Sequence, residues 1–131
     1  MTTSMSNMPR NRGFTLVEVM IVVVIVGIIA SIAYPSYREH VKRGHETEAK
    51  GQMMEAAAAL EGLRAKNFTY GGPDLDTLAP TLHNNEHYNA VRTLGAGNLS
   101  YTITATPSSS LMSGMPTLTL NNEGEASWDT P

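Results

Sequence analysis

A chain of 131 residues can form one small domain but not two independent cores, and a formal charge of −3 lacks the basic excess usual in a nucleic-acid module. No cysteine is present, which excludes a disulfide framework, thiolate metal sites and cysteine nucleophiles. Mean hydropathy is −0.17, a soluble average that hides an uneven distribution.

Residues 1–13 are polar, with Arg10 and Arg12 as their only charges. Val19 to Ala30 then carries no charged or hydrogen-bonding side chain. The wider block from Phe14 to Tyr34, broken only by Thr15, Glu18, Gly27 and Ser31, makes roughly 31 Å of helix at the standard rise, enough to cross a bilayer core. It reads as a membrane-inserting helix. Positive residues beside such a span stay on the cytoplasmic side, so Arg10 and Arg12 place the N-terminus inside and everything after Tyr34 outside. Ala30-Ser31-Ile32-Ala33 imitates a secretory cleavage site, but the block is long for a signal core, carries Glu18 near its start and runs on into a helical pattern. Gly13 has no side chain to obstruct a protease, which suits a cut just before Phe14 that leaves the apolar helix on the product. A carboxylate in a bilayer core costs about 2.5 to 3.5 kcal/mol on insertion scales. Glu18 therefore either lies close enough to the interface to stay wet or finds a partner on assembly.

Pro35 lacks an N–H and crowds the preceding turn, so it ends a helix or kinks one. The helical pattern resumes beyond it. Val41, His45, Ala49, Met53, Ala56, Leu60 and Leu63 recur at intervals of three or four, while Glu39 with Arg43 and Glu46 with Lys50 are spaced for solvated pairs. The sequence predicts one kinked helix from about Thr15 to about Arg64, near 75 Å long, apolar all round in its first half and amphipathic in its second. From Asn67 to Asn85 the signals are those of a loop: Gly71-Gly72-Pro73-Asp74, Pro80 and Asn84-Asn85, with Phe68, Tyr70, Leu75 and Leu78 as anchors to the domain. Strands are expected at Tyr88–Leu94, at Leu99–Thr106 with Leu99, Tyr101, Ile103 and Ala105 on one face, at Thr117–Leu120 and at Glu125–Trp128. The fold class that results is α+β, a long N-terminal helix packed on three or four antiparallel strands.

Arg12-Gly13-Phe14-Thr15-Leu16-Val17-Glu18, the apolar run after it and Tyr34-Pro35-Ser36-Tyr37 resemble the start of a type IV pilin. The resemblance implies a leader of residues 1–13, a transmembrane and filament-core helix over 14–34, an amphipathic helix over 35–66 and a head of loop and sheet over 67–131. It further implies that a prepilin peptidase cuts after Gly13, that the new N-terminal Phe14 is methylated, and that Glu18 pairs with a neighbouring subunit's Phe14 amine. Other pilin subunits and an inner-membrane assembly platform are the implied partners, with no cofactor, and the chain would pass from the inner membrane to the cell-surface pilus. Tyr101 to Pro107, then Leu118 to Asn121 through a turn to Trp128, resemble the C-terminal half of PilE-like minor pilins. Those proteins usually carry a cysteine pair there, which falls near Met115 and Ser127 in this chain. Losing it costs about 2 to 5 kcal/mol where nothing compensates.

His83-Asn84-Asn85-Glu86-His87 matches the H-x-x-E-H signature of a small metalloprotease, but Pro80 and the paired asparagines break the helix that the motif needs. His40 and His45 are expected on the solvated helix. Asp74, Asp76, Glu123, Glu125 and Asp129 are potential calcium ligands, as in type II secretion pseudopilins, without the required alternation. A DNA-uptake pilin needs a basic stripe, and the cations available are Arg38, Lys42, Arg43, Lys50, Arg64, Lys66 and Arg92. Asn67-Phe68-Thr69 and Asn98-Leu99-Ser100 are glycosylation sequons. The function expected is that of a non-enzymatic pilus subunit, a minor pilin of attachment and twitching motility.

Overall fold

The computed structural model describes residues 12–128. The leader up to Asn11 and the potential ligand Asp129 lie outside that range. Helix α1 spans Leu16–Asn67, 52 residues with Pro35 inside it. Thr15 starts it, its Oγ1 accepting the Glu18 N–H at 3.2 Å as a capping hydroxyl should. Arg64 and Lys66 in the last turn suit the negative end of the helix dipole. The helix stops three residues later than expected, where Phe68 takes φ 59° and donates its N–H to the Arg64 carbonyl at 2.7 Å.

The chain divides into two units between Tyr37 and Arg38. In the first, every side chain from Phe14 to Tyr37 is exposed, including the whole apolar run. This is the one described helix long and apolar enough to cross a membrane.

The second unit is the head. Ala49, Met53, Ala56 and Leu60 are fully buried, the middle of the expected stripe, while Val41, His45 and Leu63 at its ends are half-buried. Two helical turns, α2 (Leu75–Leu78) and α3 (Pro80–His83), replace the expected loop. Pro80 opens α3 instead of breaking it, since a first-turn proline sacrifices no helical hydrogen bond. Tyr70 and Leu75 are buried as anchors, but Phe68 is 83% exposed.

Four antiparallel strands follow in the order β1-β2-β3-β4: β1 Tyr88–Leu94, β2 Tyr101–Pro107, β3 Leu118–Asn121 and β4 Ala126–Trp128. Tyr88 and Ala90, then Tyr101, Ile103 and Ala105, then Leu118 and Leu120 face inward by strand alternation and join the α1 stripe in one core. Leu99, expected on that inward face, is exposed outside β2. Positive φ at Gly97 (65°) and Asn98 (57°) turns the chain, and the Gly95 N–H to Ser100 carbonyl bond at 3.0 Å closes it, so pairing begins only at Leu94 opposite Tyr101. Met112, in a helical turn between β2 and β3, is buried as well.

Candidate functional site

Sequence reasoning points first to the N-terminal unit. Phe14, Glu18, Val19, Val22 and Val23 line a shallow groove on this segment whose surface is wholly apolar. Gly13 precedes α1 and is exposed, and Phe14 is 83% exposed. A helix surface of Val, Ile and Met with no protein packed on it can be covered by lipid or by like helices.

The head shows no assembled reaction centre among the described residues. In the H-x-x-E-H sequence, His83 ends α3 and Glu86 is exposed, while His87 turns to the half-buried His45. Their ring centroids lie 3.8 Å apart. His45 is thus not the simple solvated residue that its helix position suggests. Of the potential calcium ligands, Asp74 accepts from Arg92 Nη2 at 3.1 Å and Glu125 accepts from Asn121 Nδ2 at 3.0 Å. No group of three or more His, Cys, Asp or Glu among the described residues is placed to hold a metal.

Several head cations are engaged within the fold. Lys42 pairs with Glu39 at 3.2 Å, so Glu39 chooses the neighbour at i+3 over Arg43 at i+4, and Lys50 pairs with Glu46 as its spacing suggests. The Arg92 side chain is 4% exposed and reaches Asp74. Arg64 donates to the Tyr70 hydroxyl at 2.9 Å, and that hydroxyl donates to Glu61 at 2.7 Å. Burial and then the Glu61 bond raise the Tyr70 pKa, while the Tyr70 bond raises that of Arg64. Burial pushes Tyr88 and Tyr101 up to about 12. Local pattern does not reveal the Glu61–Tyr70–Arg64 chain, although Glu61 and Arg64 stand three apart just before Tyr70. Met115, one of the two positions aligned with the missing cysteines, packs on the core. Ser127, the other, pairs with Thr119 in β4.

Two family profiles match the chain. One, the prokaryotic N-terminal methylation motif, covers residues 8–34. The other, described as "Type IV minor pilin ComP, DNA uptake sequence receptor", covers residues 35–115. The type IV major pilin protein PilA of Myxococcus xanthus is 57% identical over 62 residues, 47% of this chain and 28% of that one. The type II secretion system core protein G of Pseudomonas aeruginosa is 43% identical over 61 residues, 47% of this chain and 43% of that one. This chain therefore spans less than half the length of either relative. The fimbrial protein EcpC of Eikenella corrodens is 32% identical over 130 residues, 90% of this chain and 80% of that one. A solved type IV pilin from Shewanella oneidensis shares the fold, with a TM-score of 0.56 and 23% identity over 69% of this chain and 94% of that one. With a pilin profile over most of its length, a methylation motif at its start and the long helix on a four-stranded antiparallel sheet of a solved pilin, this chain belongs to the type IV pilin family.

Proposed function

We propose that this chain is a non-enzymatic structural subunit of a type IV pilus, a minor pilin serving attachment and twitching motility. The observation that carries the reading is the fully exposed apolar run within a chain bearing the methylation motif. Phe14 to Tyr34 anchors the precursor in the inner membrane with the head in the periplasm. A prepilin peptidase removes residues 1–13, the Phe14 amine is methylated, and an inner-membrane platform moves the subunit into the filament. The same apolar surface then exchanges lipid for neighbouring helices. That exchange has little hydrophobic cost in either direction, because lipid tails and apolar side chains are alike as solvents. Direction comes from Glu18, whose carboxylate is unfavourable in hydrocarbon and gains the Phe14 amine of a neighbour. Pro35 lies inside α1 close to where its apolar and amphipathic halves meet.

Glu18→Ala tests this directly. The variant should be cleaved and inserted like the wild type and be missing from sheared surface filaments; incorporation at the wild-type level would remove Glu18 from assembly.

The profile's description favours a second reading, reception of DNA during uptake. The charge distribution weighs against it. Lys42, Lys50 and Arg92 are held in ion pairs and Arg64 on Tyr70, which leaves Arg38, Arg43 and Lys66 as head cations without an ion pair among the described residues. A DNA receptor would bind duplex with an affinity that falls steeply as salt rises. A type II secretion pseudopilin, suggested by the core protein G match, would be absent from sheared surface pili.

A further inference from the structure

The outer edge of the head's sheet carries unmade backbone hydrogen bonds beside a groove. β1 is an edge strand, paired with β2 on one side only. Just beyond its two ends, the Gly95 N–H donates to the Ser100 carbonyl at 3.0 Å and the Ser108 N–H donates to the His87 carbonyl at 2.9 Å. Both pairs continue the β1–β2 register, and an antiparallel ladder bonds every second pair. Asn89, Val91 and Thr93 therefore turn their backbone groups toward β2, whereas Tyr88, Ala90, Arg92 and Leu94 turn theirs outward. The first outward N–H, that of Tyr88, is taken by Asn85 Oδ1 at 2.9 Å. No hydrogen bond among the described residues engages the backbone N–H or carbonyl of Ala90 or Arg92. These two residues and Val91 form one wall of a groove of about 340 Å3, with Asp74, Leu75 and Asp76 across it.

We propose that the β1 edge is a strand-addition site, taking an extended segment of a partner protein that has a β-branched residue beside Val91 and a basic residue beside Ala90. An open edge is a template for another strand, and a segment laid antiparallel along it engages the N–H and carbonyl of both Ala90 and Arg92. Side chains then select the partner. Val91 is 54% exposed on the outer face of β1, so a segment residue on that face gains a β-branched neighbour. On the inner face Arg92 Nη2 reaches Asp74 Oδ1 at 3.1 Å, which places these carboxylates on the side where the alternate residues of the segment project. Arg92 compensates Asp74, while Asp76 has no ion pair among the described residues and is the surplus charge of the groove. A lysine or arginine next to the short Ala90 side chain can meet Asp76, and the residue opposite Arg92 has to be uncharged. A second copy of this chain is the poorer occupant, because pairing β1 with β1 sets the Asp74 and Asp76 of one head against those of the other. The site lies wholly in the head and draws nothing from the filament reading.

The probe is a blocked pentapeptide, Thr-Ser-Val-Lys-Thr, titrated into the isotopically labelled full chain in uncharged detergent micelles and followed by amide NMR. Saturable shifts are expected at the Ala90 and Arg92 amides, with slower hydrogen exchange at both as their N–H groups gain acceptors. The same peptide N-methylated at its three central residues keeps the charge, lacks the strand donors and should not bind. Glutamate in place of its lysine should weaken binding about tenfold, and Asp76→Lys, an exposed position, should reverse that preference. No saturable shift, shifts that avoid Ala90 and Arg92, undiminished binding of the N-methylated peptide, or the same order of peptide affinities in wild type and Asp76→Lys would each overturn the site.

Discussion

Trp128 closes the last strand of the head, and its removal tests how this sheet is secured without a disulfide. The indole is partly buried against the core, pairs in register with Leu118, and lies under the Lys50 ammonium, 5.0 Å from the ring centroid. A tryptophan side chain offers about 200 Å². Burying roughly half of it at about 25 cal/mol per Å² contributes about 2.5 kcal/mol, and the cation over the ring adds about 0.5–1 kcal/mol. Trp128→Ala should therefore cost about 3 kcal/mol, within the range that loss of a native disulfide costs in a small domain. In a domain of about 100 residues each kcal/mol lowers the melting temperature by about 4–8 °C, so the head should melt about 12–24 °C lower. The assay is thermal unfolding of the full chain in detergent, followed by near-ultraviolet circular dichroism, for Trp128→Ala, Lys50→Met and the double variant. Lys50→Met keeps the stem and removes the charge, so the cycle isolates the cation–ring contact at about 0.5–1 kcal/mol of coupling. A loss below about 1 kcal/mol for Trp128→Ala, or no coupling to Lys50, would refute the claim that these two side chains secure β4.

Phe68→Gly should stabilise the head by about 1 kcal/mol in chemical denaturation, because Phe68 holds φ 59° while 83% exposed and a glycine there removes strain without removing packing; a lower midpoint would contradict this. Tyr88 and Tyr101 should appear as late phenolate transitions near pH 12 in an ultraviolet titration. Both folded values lie above the ordinary value of 10.0, so their contribution is complete below pH 10 and is lost as pH rises from about 10 to about 12, where the unfolded chain loses its protons first. Head stability that stays flat across this window would exclude their burial. Ile103→Ala, fully buried in β2, should cost about 2–5 kcal/mol in the same denaturation assay, and a loss under about 1 kcal/mol would place Ile103 outside the core.

Periodicity carried most of the fold because it reports which face of an element is buried. The interval of three and four picked out Ala49, Met53, Ala56 and Leu60, and alternation picked out Tyr101, Ile103 and Ala105. It failed where one backbone conformation overrode pattern. Positive φ at Gly97 and Asn98 put Leu99 outside its strand, and Phe68 adopted a left-handed conformation that its residue type does not advertise. Pro80 read as punctuation because a proline that opens a helix and one that breaks it are alike in a linear string. At the N-terminal site, the motif from Gly13 to Glu18 and the apolar run were legible because membrane insertion is a property of composition and length. The His45–His87 pair was not, since its partners are brought together only by the packing of α1 against the start of β1.

Whether the apolar helix of this chain ends up in a surface filament is decided by the intact mass of the chain recovered from sheared filaments. A product beginning at a methylated Phe14 is the predicted result, and a small share of the filament protein would assign it as a minor subunit. Absence from the filaments, together with a soluble species in the medium cut after Ala33, would contradict the account.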